Sequence, residues 1–296
     1  MSRPSNEMTA TAVAGMADPV PAPARARRRP RRLRFGHYLR TRIGAGQLVV
    51  ELFQGRSRPR LLGSLAREYT DPDSGERVLP TELAQAIAGL TPALASIQEK
   101  LEADGTGSLQ GLPCEVVVDD SWMLYDVVRA DLRGLSPRAA DALIGASLAD
   151  VAGLSPSELA SRWQPQGRSA FTLACGLPAN ALPALREALA AFGIQAESIE
   201  GEFVHEFNRY RERLAPRCAV IALVRDAGAQ LAIVIDGVLT AMSFEFGVGA
   251  ARELELRGRS LLRAAGLGGD GAIHFYALAP AGWATAEPWV CLPLAA

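Results

Sequence analysis

Arg225-Asp226-Ala227-Gly228-Ala229 lies between two apolar runs, with Asp236-Gly237 and Phe246-Gly247 following downstream. Glycine in a tight turn lets backbone N–H groups approach a ligand and converge into a concave anion nest. Asp-x-Gly is also ordinary turn chemistry, so these letters alone admit both roles. Gly266-Leu-Gly268-Gly269-Asp-Gly271 has the spacing of a dinucleotide fingerprint. That fingerprint needs a strand before it and a helix after it, so that the pyrophosphate meets a helix N-terminus. Here the expected order is helix before and strand after, so the motif is read as a helix C-cap and loop.

Other chemistries fall away. Of 31 basic residues only Lys100 is lysine, so no phosphate-binding G-x-x-x-x-G-K-[ST] loop exists and a lysine nucleophile would have to be Lys100. His37, His205 and His274 share no metal-ligand spacing, and no G-x-S-x-G elbow is present. Asp119-Asp120 follows a strand, where neighbours point to opposite faces, so turn or surface roles are expected rather than a shared cation. Cys114, Cys175, Cys218 and Cys291 are dispersed without a C-x-x-C pair and read as structural thiols in a reducing compartment.

The positioning elements follow from pattern and turns. Residues 1–32 are rich in Pro, Ala and Arg, without apolar period, and are expected to form a disordered tail. Eight arginines against Glu7 and Asp18 give residues 1–34 a charge of +6, leaving −7 on the body of a chain whose net charge is −1. A basic tail on an acidic body argues against nucleic-acid binding. The Arg25–Arg34 cluster suits peripheral contact with an anionic membrane surface. No run reaches the ~18–20 apolar residues of a membrane helix, and no secretory signal is recognised, so a soluble, cytoplasmic protein is expected.

Gln47–Phe53 and Arg60–Arg67 predict a hairpin, followed by a helix carrying Leu83, Ile87, Leu90, Leu94 and Ile97. Cys114–Val118 predicts a strand, Ser136-Pro137 the start of a helix, and Glu158–Trp163 with Ala170–Cys175 a second hairpin. Ala181–Phe192 has one apolar face and ends at Gly193; a short strand candidate over Ile194–Ile199 and a helix marked by Phe203, Phe207 and Tyr210 follow. Cys218–Val224, Gln230–Ile235 and Val238–Phe246 predict a three-strand meander, closed by a helix over about 249–265 and the strand Ala272–Leu278. The expected class is α/β with mixed sheets covered by helices. The hairpins opening at 47 and 218 are taken as equivalent, after the tail at 1–32.

From about residue 40 to 247 the chain resembles the actin-like domain of type IV pilus assembly proteins of the PilM type and the cytoplasmic domain of type II secretion GspL proteins. Gly193-Ile-Gln-Ala-Glu-Ser-Ile199 resembles their recurring helix-Gly-strand step, and Cys218–Phe246 their second phosphate hairpin. The resemblance implies a two-subdomain actin-like (ribonuclease-H-like) ATPase fold, with subdomains at 33–200 and 201–296. It also implies a vestigial nucleotide site at Asp226, Gly228, Ala229 and Gly247. The sequence departs from the family at the first hairpin. Arg42-Ile-Gly44-Ala-Gly46 precedes Leu48–Leu52 with no acid in the turn, and only about fifty residues follow Gly247 for the nucleotide clasp. A truncated, degenerate pseudo-ATPase is therefore expected, with no cofactor beyond weak Mg-ATP binding.

The implied role is a non-catalytic adaptor of an inner-membrane pilus or secretion platform. It would dock the cytoplasmic peptide of a membrane-anchored partner and contact the motor ATPase. The alternatives are an ATP-binding protein or small-molecule kinase of the actin, sugar-kinase and Hsp70 superfamily, and an unrelated α+β interaction module.

Overall fold

The computed structural model describes residues 36–70, 80–103, 108–167, 169–214, 218–267, 273–283 and 286–294. The expected tail, with its Arg25–Arg34 cluster, lies outside the described residues. Strand β1 (His37–Ile43) buries Leu39, Thr41 and Ile43 at alternate positions, turns at residues 44–46, and returns antiparallel as β2 (Gln47–Gln54) and β3 (Arg60–Glu68). Helices α1 (Leu83–Ala88) and α2 (Leu90–Ala103) follow, leading to the apolar strand β4 (Pro113–Val118). An inserted unit comes next: β5 (Leu124–Arg129), α3 (Pro137–Ala152), β6 (Leu159–Pro165) and β7 (Phe171–Pro178). The Ser136 side chain caps α3 with Pro137 in its first turn, as the sequence predicts.

The chain continues through α4 (Ala181–Ala190), β8 (Gln195–Gly201) and α5 (Glu202–Tyr210). The meander is β9 (Cys218–Arg225), β10 (Gly228–Ile235) and β11 (Val238–Phe246), and α6 (Ala251–Ala264), β12 (His274–Ala279) and β13 (Trp289–Pro293) complete the chain. The β10–β11 turn is Asp236-Gly237 with φ of 48° and 76°, the left-handed pair that a two-residue hairpin requires.

Two five-stranded sheets share one plan. Their orders are β3-β2-β1-β4-β8 and β11-β10-β9-β12-β13, each an antiparallel meander extended by two parallel strands. The mixed-sheet α/β class is thus as the sequence predicts, but the internal equivalence shifts by one strand. The counterpart of β9–β10 is β1–β2, not the hairpin opening at 47, because β1 is a central strand that the sequence pattern does not announce. The third sheet, β5-β7-β6, stands between β4 and α4 in sequence.

Apolar faces explain the layering. Leu48, Val50 and Val116 of the first sheet pack with Ile87, Leu94 and Leu185 from α1, α2 and α4. The second sheet is covered on one face by α6 through Leu254 and Leu262, and on the other by α5 through Phe203, Phe207 and Tyr210. Helix α5 therefore leaves the end of the first sheet and packs on the second. Gly258 of α6 sits so close to the second sheet that a Cβ there would stand 2.8 Å from Val220 Cγ1. Overpacking of this kind costs roughly 1–3 kcal/mol. The Gly258→Val variant is expected to lose that much stability, read as a lower urea midpoint with an unchanged m-value.

Candidate functional site

The first hairpin turn is closed by its own surroundings. Gly44 N–H donates to the Gln47 carbonyl at 2.9 Å, and the Tyr69 hydroxyl donates to the Gly44 carbonyl at 3.0 Å. Ala45 N–H donates to Asp119 Oδ2 at 3.3 Å. Asp119 follows the last residue of β4, donates its N–H to the Ile43 carbonyl at 2.9 Å, and accepts Ser121 N–H on Oδ1 at 2.8 Å. An acid does serve this turn, supplied from the end of a parallel strand rather than from within the hairpin. Arg42, expected beside the turn, belongs to β1 and lies 3.8 Å from Glu51 on β2.

Asp120 turns inward and is 3% exposed, not a surface residue. The backbone leaves strand geometry at Asp119 and enters a short 3-10 turn over Asp120–Trp122, so strand alternation no longer separates the two carboxylates. Asp120 accepts the Tyr125 hydroxyl at 2.7 Å and Phe203 N–H at 2.8 Å. The second bond satisfies a first-turn donor of α5, whose N-cap is Gly201 and offers no side chain. A Cβ on Gly201 would fall on the Tyr125 hydroxyl, so only glycine leaves room for this lock. Burial pushes the Asp120 carboxyl well above its ordinary value; the Tyr125 hydrogen bond opposes the rise, and the charges of Glu202 and Asp119 add to it.

Glu202 opens α5 and receives Arg225, the last residue of β9, through two hydrogen bonds: Nε to Oε2 at 2.9 Å, and Nη2 to Oε1. The side chains are 26% and 9% exposed for Arg225 and Glu202. Desolvation acts to lower the Arg225 pKa, but the charge and hydrogen bonds of Glu202, joined by the charges of Asp119 and Glu206, outweigh it and raise it. Glu206, one helical turn on, is fully buried; its Oε2 lies 3.3 Å from Arg209 Nη1, while Oε1 has no hydrogen-bond partner. The resulting cluster is rich in carboxylates, with Arg225 at its centre.

The four sequence-predicted residues come together at the second turn. Asp226 is exposed in the two-residue turn, and Gly247 N–H closes it by donating to the Ala227 carbonyl at 3.0 Å. Gly228 and Ala229 are buried strand residues paired with Phe246 and Glu245. A Cβ on Gly228 would run into the Glu245 carbonyl, so this glycine serves the approach of two strands. The residues that the sequence pattern left aside are Asp119, Asp120, Gly201, Glu202 and the function of Arg225. A glutamate directly after a glycine at a strand-to-helix step was the signal available for Glu202.

The remaining motifs resolve as local structure. Gly266 takes a left-handed conformation, with its N–H on the Arg263 carbonyl and Leu267 N–H on Leu262, the helix C-cap read from the sequence, while residues 268–271 lie outside the described residues. His205 Nδ1 lies 3.1 Å from Glu200 Oε1, and no metal-ligating group of three occurs among the described residues. All four cysteines are unpaired, and burial pushes the Cys114 thiol up to about 11.

No protein-family model matches the sequence, and no curated protein sequence matches it. Solved structures share the fold. The cytoplasmic domain of EpsL, an inner membrane component of the Vibrio cholerae type II secretion system, aligns with TM-score 0.53 at 13% identity, covering 88% of this chain and 91% of that one. A chain of the PilM–PilN type IV pilus biogenesis complex aligns at 0.53 and 14% identity, over 83% and 81%. A Bacteroides thetaiotaomicron protein with an actin-like ATPase fold aligns at 0.53 and 9%, over 84% of each chain. The chain has the actin-like fold.

Two outcomes test the cluster. Arg225→Met strands Glu202 in a largely buried site and should cost about 3 kcal/mol in denaturant unfolding. Asp120 has a folded pKa above its unfolded value of ~4, so its stabilisation is complete below that value and is lost as pH rises through the raised one. The melting temperature of the wild type should therefore fall relative to that of Asp120→Asn as pH is raised from the carboxylate range. A constant difference between the two across pH would show that Asp120 does not titrate this way.

Proposed function

We propose that this chain is a non-catalytic actin-like scaffold, an adaptor in an inner-membrane assembly of the type IV pilus or type II secretion kind. It docks the cytoplasmic peptide of a membrane-anchored partner and contacts the motor ATPase. The observation that carries the loss of catalysis is the Arg225–Glu202 pair beside the two hairpin turns. Phosphoryl transfer requires Mg²⁺ held by carboxylates and free donors around the β- and γ-phosphates. Here the Ala45 N–H is bound by Asp119, Arg225 is neutralised by Glu202, and the surrounding carboxylates oppose an incoming polyphosphate.

Likeness to EpsL and to PilM supports the assembly role, since the first is an inner membrane secretion component and the second belongs to a pilus biogenesis complex. Among the described residues no helix is long and apolar enough to cross a membrane. The Arg25–Arg34 cluster suits peripheral contact with an anionic membrane surface. The competing ATP-binding or kinase reading draws on exposed Asp226 at the second turn.

Calorimetric titration with Mg-ATP and a phosphate-release assay separate the two. The expected result is no turnover in the wild type or in Asp226→Ala, alongside micromolar binding of the cytoplasmic peptide of its membrane-anchored partner. Turnover that disappears in Asp226→Ala would replace the scaffold with the kinase-like function.

A further inference from the structure

A cavity of about 610 Å³ opens between the edge strand β3 and helix α2. Its walls are mostly apolar, from Leu52, Leu65, Ile97, Leu101 and Leu112, with His37, Ser64, Lys100 and Ser108 as the polar part. Gly63 stands opposite Leu52 in the strand register, and a Cβ on Gly63 would meet nothing within 4 Å. The register slips at the next pair, Phe53 opposite Leu61, leaving Leu62 as the extra residue of a bulge, 43% exposed beside Leu61 at 50%.

Three observations say what fits there. First, β3 ends its sheet, and among the described residues no strand pairs with its outer edge. Its counterpart β11, at the equivalent edge of the second sheet, packs against β5 and β7 of the inserted unit. A long bare edge exposes backbone N–H and C=O groups that accept another strand. Second, the cavity lies under that edge, where alternate side chains of an added strand would drop in. Third, Lys100 lines the cavity, no ion pair holds it among the described residues, and none of the described lining residues is acidic. A mostly apolar hollow with a lysine in its wall, unpaired among the described residues, favours an occupant carrying a carboxylate.

We infer that the β3 edge and its cavity capture an extended peptide of a partner protein, apolar at alternate positions and acidic between them, added as a sixth strand. This deepens the adaptor role proposed above by fixing where and how a peptide is held.

Lys100 is the only lysine, so an amine-reactive ester reports on it and the N-terminal amine alone. The probe is a synthetic capped peptide of alternating leucine and glutamate; its leucine–lysine counterpart and dodecanoate serve as controls. The acidic peptide should bind in fluorescence anisotropy, slow Lys100 labelling about fivefold, and lose about tenfold in affinity on Gly63→Trp, which fills the hollow from a residue with space around it. Gly63→Ala should fold and bind normally, and Lys100→Glu should turn the preference toward the basic peptide. Absence of binding, equal binding by Gly63→Trp, or protection of Lys100 by dodecanoate alone overturns the proposal. Binding of a membrane-anchored partner's cytoplasmic peptide that survives Gly63→Trp overturns this location while leaving the adaptor role standing.

Discussion

Arg225 and Glu202 meet where the chain passes from one sheet to the other, and neither could remain there alone. A charged group taken largely out of water costs several kcal/mol unless a partner is already in place. Arg225 ends β9 of the second sheet; Glu202 begins α5 directly after β8 of the first. Satisfying the arginine thus constrains the step from β8 into α5, and with it the side of the second sheet on which Phe203 and Phe207 pack. Asp120 reinforces the same step by taking Phe203 N–H, while neighbouring Asp119 holds the first hairpin turn. Two adjacent carboxylates at the end of β4 therefore tie together the first turn and the helix that crosses to the second sheet.

Such a knot has consequences for what the fold can do. In an actin-like arrangement the two hairpin turns can serve a phosphate ligand only if their donors are free and their surroundings are not strongly negative. This chain spends donors internally and surrounds Arg225 with Asp119, Glu202 and Glu206. The ion pair gives Arg225 its charge partner from within the chain, where the second turn begins.

The parts of this design differ in how far they can be read from the letters. The β9–β11 meander is legible because Asp236-Gly237 and the Asp226-Ala227 turn are local signals between consecutive apolar strands. Strand β1 is not, because Arg40, Thr41 and Arg42 interrupt its apolar pattern. Its partners, β2 and β4, also lie on opposite sides of it, one adjacent in sequence and one more than sixty residues away. Missing β1 moves the apparent repeat by one strand. The cluster is harder still, since Asp119 and Asp120 acquire their roles only when a 3-10 turn swings both carboxylates off strand geometry. Gly201 likewise looks like an ordinary helix boundary until the Tyr125 hydroxyl is found in the space its missing side chain leaves.

The duplicated sheet plan also explains why, among the described residues, one sheet edge has no covering strand. Both sheets end in a meander strand, β3 in one and β11 in the other, and an exposed meander edge is a liability for any soluble chain. The inserted unit resolves this for β11, with β5 and β7 packing against it, and nothing among the described residues does the same for β3. Proteins commonly blunt such edges with charge, and β3 carries Arg60 at one end and Arg67 with Glu68 at the other, but Leu61, Leu62 and Gly63 in its first half. The apolar, bulged stretch between these ends stays open to an added strand, and Lys100 beside the cavity favours an acidic strand over a basic one. Selectivity of that kind follows from like-charge repulsion as much as from attraction. It requires no catalytic group, only a sheet held rigidly enough to keep the edge in place.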